Sequence, residues 1–75
     1  MKASLFHMLM NQALADKSKA VLTLDLLGNN PAGIGDHSTD DFYKNANEAL
    51  AALDDADGRI DTLKKYYESQ IKEVL

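Results

Sequence analysis

Along the second half of the chain, Phe42, Ala46, Ala49, Leu53, Ala56, Ile60, Leu63, Tyr67, Gln70 and Val74 follow one another at alternating steps of four and three residues. Only Gln70 in that row is plainly polar. This spacing puts one side chain per turn on a single face of a helix and is the a/d seam of a coiled-coil-like element. It predicts a helix over residues 39 to about 74. Ser38 is placed as its N-cap, with Asp41 in the capping-box position, and Asp40 and Asp41 favour the positive end of the helix dipole. Upstream, Phe6, Met10, Ala13, Lys17, Ala20, Leu24 and Leu27 keep the same rhythm, with Leu14 and Val21 widening the stripe, and predict a helix from about residue 3 to 27. Gly28 suits the left-handed C′ position that closes a helix, and Pro31 prevents continuation.

The expected fold is all-α: an antiparallel helical hairpin forming one domain over residues 1–75, with a shaped loop at 28–38. Three of the four glycines and the only proline lie in that loop. At roughly 1.5 Å per residue, a first helix of about 25 residues cannot cover a second of about 36. The surplus would begin near Lys64 and carry Tyr67, Ile71 and Val74. Such an overhang predicts self-association, as a four-helix dimer or a larger ring of hairpins, along a seam of Phe42, Leu53, Ile60, Leu63, Tyr67, Ile71 and Val74.

Size supports that expectation. A domain of 75 residues buries only about 60% of the surface its unfolded chain exposes, and with no cysteine it has neither disulfides nor a thiolate zinc site. Extra burial must come from other copies or a partner. Twelve acids against eight bases, net −4, disfavour a nucleic-acid partner. The first 15 residues imitate a secretory leader, but His7, Asn11 and Gln12 interrupt a short apolar stretch, and no run approaches the roughly 20 apolar residues of a membrane span. A cytoplasmic protein without membrane contact is expected.

Candidate chemistry mostly has a structural reading. Asp55 to Asp61 looks like the middle of an EF-hand loop, yet Leu53 and Lys64 occupy the end positions where calcium needs carboxylates, so a continuous helix with an acidic outer face is expected. Asp36, His37, Asp40 and Asp41 could ligate a divalent metal but are also ordinary turn and first-turn residues. Gly33 and Gly35 could form an anion nest, although neighbouring acids repel an anion and the loop has no lysine. Asp61 with Lys65, and Glu68 with Lys72, are spaced to pair along one helix. His7 has no nearby nucleophile or second ligand. No catalytic residue, metal or cofactor is expected, and no enzyme activity.

The run Asn29-Asn30-Pro31-Ala32-Gly33-Ile34-Gly35-Asp36-His37-Ser38, followed by an acidic helix, resembles the NNPxGIG[DE]H loop of small proteins encoded by T4-like tailed phages and cyanophages. The likeness covers that loop and the general pattern of the second helix. It implies a phage accessory protein acting inside an infected bacterium and transfers no catalytic residue. Within the loop, Asn29, Asn30, Ile34, Asp36 and His37 are the interaction candidates. The expected function is a small self-associating interaction protein binding a host or phage protein. One alternative is an oligomeric sponge that holds a small nucleotide signal between subunits through Lys64, Lys65, Tyr66 and Tyr67; another is a minor structural component of the virion.

Overall fold

The computed structural model describes residues 1–29 and 39–71. Two helices, α1 (Ala3–Asn29) and α2 (Thr39–Ile71), pack against each other as a hairpin. The predicted rows supply the contact face. Phe6, Ala13 and Ala20 of α1 are buried, as are Ala49, Ala56, Ile60 and Leu63 of α2, while Met10, Leu24, Leu27, Phe42, Ala46, Leu53 and Tyr67 are half-buried. Ala13 and Ala56 have no exposed surface at all, so small side chains set the close approach of the helices through the middle of the seam. Among the described residues, no helix is long and apolar enough to cross a membrane.

Four expectations are corrected. Gly28 does not end α1; the helix runs through it to Asn29, and no glycine of the described residues takes a positive φ. A helix-interior glycine costs about 1 kcal/mol without forcing a stop, and Leu27 before it is half-buried. The seam does not continue to Gln70, which is exposed, but steps to Ile71, 4% exposed. An α-helix of 3.6 residues per turn drifts by about 20° per heptad, so after four heptads the inward position has moved by one residue. Leu14 and Val21 do not widen the buried stripe: both lie on the surface.

The fourth correction concerns the overhang. Ile71 is buried in a cluster with Phe6 and Leu63, flanked by Ala3, Met10 and Tyr67, and the Met1 ammonium donates to Gln70 Oε1 at 3.5 Å. The beginning of α1 therefore covers α2 to the end of its described length. Counting equally along both helices from the Asp16–Arg59 pair, Asn29 comes level with Ala46, so the first turns of α2 are the part extending past α1. The comparison of helix lengths placed the whole surplus at the far end of the second helix. Burial of Phe6, Leu63 and Ile71 selects a different register. Val74 and the end of the second helix lie outside the described residues.

Candidate interaction surface

Of the loop candidates, Asn29 is the last residue of α1 and exposed. Asn30, Ile34, Asp36 and His37 lie outside the described residues, as do the Ser38 cap, the glycine nest and half of the proposed metal group. Among the described residues no cluster of acids and histidines could hold a metal ion. What can be built is the surface of the hairpin.

Two flanks border the seam and differ in character. On one, a second helical row of α1 (Leu9, Gln12, Asp16, Lys19, Thr23) faces a row of α2 (Glu48, Ala52, Asp55, Arg59, Thr62) across a groove. The groove widens into depressions of about 650 and 460 Å³ on either side of Asp55 and Arg59, which line both. The other flank carries exposed Leu14 and Val21 on α1 and Tyr43 and Leu50 on α2. It is also acidic: Asp25, Asp54, Asp57, Asp61 and Glu68 stand against Lys17, Lys64 and Lys65.

Arg59, the only arginine, ties the groove together. Its Nη2 donates to Asp16 Oδ2 at 2.8 Å across the helices, its Nε donates to Asp55 Oδ2 at 3.0 Å one turn back, and Gln12 Nε2 donates to Asp16 Oδ1 at 3.1 Å. On the opposite flank Lys17 Nζ lies 3.1 Å from Asp57 Oδ1. Neighbours Asp16 and Lys17 thus each meet an opposite charge on α2, which disfavours a slip in register. The pairs also account for two acids of the EF-hand-like run: Asp55 and Asp57 are engaged with Arg59 and Lys17 inside an unbroken helix. The expected Asp61–Lys65 pair is not made, and Lys65 Nζ instead sits 5.3 Å from the Tyr66 ring centroid. Lys72 of the second expected pair lies outside the described residues. The cross-helix Asp16–Arg59 pair was missed in the sequence because it depends on register; the Asp55–Arg59 spacing of four was its visible half.

The hydrogen bond from Arg59, and after it that from Gln12, hold the Asp16 carboxyl below its ordinary value of 3.8, and Asp16 in turn raises Arg59. A depressed folded-state pKa contributes stability that is complete above the unfolded value and lost as pH falls through the folded one. Asp16→Asn is therefore expected to lower the urea midpoint modestly at neutral pH, with its difference from wild type shrinking as pH falls below 3.8. Urea titrations at a series of pH values would show this; a difference that stays constant into acid would remove the pair from the stability of the hairpin.

At the open end, Phe6, His7, Lys64, Lys65, Glu68 and Ser69 line a third depression of about 440 Å³. His7 makes an edge contact with Phe6 at 5.8 Å between centroids. No family model, curated protein or solved structure matches the chain.

Proposed function

We infer that the chain is a small self-associating helical interaction protein, and from its NNPAGIGDH loop that it serves a tailed phage as an accessory protein binding a host or phage protein during infection. The observation that carries the self-association is surface. The chain exposes 5589 Å², whereas a compact monomer of 8.2 kDa exposes about 4,500 Å². Eleven large apolar side chains of the described residues stand at least about a third exposed, with Met8, Leu22, Leu26, Tyr43, Leu50 and Tyr66 more than half. Among the described residues no large side chain is fully buried in exchange. A hairpin with so little interior gains stability from other copies through mass action. Sedimentation equilibrium at micromolar concentration is expected to show an oligomer; a monodisperse monomer would overturn the reading.

A second reading is favoured by one observation. Lys64 and Lys65 line the open-end depression with His7 and Glu68, next to Tyr66 and Tyr67, and the two lysines with the aromatic rings suit a phosphate and a base. In an oligomer these ends would enclose a small nucleotide signal between subunits. Thermal shift with cyclic and linear nucleotides separates the readings: a rise in melting temperature that Lys64→Ala with Lys65→Ala abolishes supports sequestration, and no shift leaves the macromolecular partner.

A further inference from the structure

We propose that the groove flank is the surface through which two copies of this chain pair, with Gly58 at the point of closest approach and the acidic flank left facing solvent. This rests on the self-association reading and gives it a surface and an orientation.

Three observations select the occupant. The first is charge. The groove lining is nearly balanced, with Asp16, Glu48 and Asp55 against Lys19 and Arg59, so it tolerates its own image across a two-fold axis. The acidic flank, with five acids against three lysines, disfavours a second copy of itself. Area is the second: the surplus over a compact monomer, about 1,000 Å², is of the order of the roughly 800 Å² per partner that a standard interface covers. The third is Gly58. In the interior of α2 it costs about 1 kcal/mol against alanine, yet a Cβ built on it would meet nothing within 4 Å. The hairpin does not need a glycine there. It lines the groove beside Leu9, Gln12, Thr62 and Leu63, where absence of a side chain lets another backbone come close. Each copy's α2 then lies in the other's groove, giving a four-helix bundle.

The test is sedimentation equilibrium of the full chain and three variants, with far-UV circular dichroism to check folding. Gly58→Leu enters open space in the hairpin and should keep its helicity, but each dimer would carry the intruding side chain twice. Its dissociation constant should rise by roughly a hundredfold. Thr62→Lys, an exposed groove position, should weaken pairing independently, whereas Leu50→Ser on the acidic flank should leave it unchanged. A wild type that dimerises while Gly58→Leu and Thr62→Lys dimerise equally well overturns the groove and leaves self-association standing. A monomeric wild type overturns both.

Discussion

Phe6→Ala is expected to leave the hairpin largely unfolded. A domain of 75 residues has about 4–11 kcal/mol of stability in total. Truncating a buried phenylalanine removes about 3–5 kcal/mol of it. Phe6 is 6% exposed and forms a cluster with Leu63 and Ile71; of the other buried residues, four are alanines and only Ile60 is large. Among the described residues no second cluster takes over what Phe6 contributes. Because the contact joins the first turns of α1 to the last described turn of α2, its loss also releases the open end and the Met1–Gln70 hydrogen bond. Urea titration followed by circular dichroism, with wild type and variant at the same concentration, should show the midpoint fall sharply. Leu22→Ala, 69% exposed on the outer face of α1, should move it by no more than about 0.5 kcal/mol equivalent. Equal midpoints for Phe6→Ala and wild type would place the core elsewhere.

The two helices, their antiparallel packing and most of the seam were legible in the sequence, because periodicity of apolar positions is a local property that a reader can count. Residues 49, 56, 60 and 63 are buried where the row places them. Register was not legible. It is a relation between distant segments, decided by which large side chains find each other, and an 11-residue connection leaves room for several answers. From that single error followed the misplaced overhang and the unseen Asp16–Arg59 pair. The flanks were harder still: Leu9, Leu14, Val21 and Leu50 look like added core in a wheel projection, and only the position of the partner helix shows that they stay on the surface. Gly28 misled for a different reason. A glycine with a proline three residues later permits a helix stop without compelling one, and the helix runs two residues past Leu27.

Ala56→Leu is the second substitution expected to have a large effect, and its sign tests whether the seam is close-packed. Leucine adds about three carbon groups, worth roughly 2.4 kcal/mol if they could be buried without strain. Forcing them into a filled interface costs about 1–3 kcal/mol instead. Ala56 has no exposed surface and borders neither depression of the groove, so the added atoms have no space to enter, and destabilisation is the expected outcome. At about 4–8 °C per kcal/mol for a domain of this size, the melting temperature should drop by at least about 5 °C. Ala49→Leu provides the contrast, since Ala49 is also buried, 7% exposed, yet borders the depression of about 650 Å³. Within the single hairpin its leucine has open volume to grow into, so the change should stay within about 1 kcal/mol of wild type when both are melted at concentrations below the dimer dissociation constant. Ala51→Leu, exposed on the outer face of α2, controls for helix propensity. If Ala56→Leu instead melts at or above the wild-type temperature, the helices have slack between them. The alanines would then reflect helix propensity alone, and the close approach of α1 and α2 would not be a packing requirement of the fold.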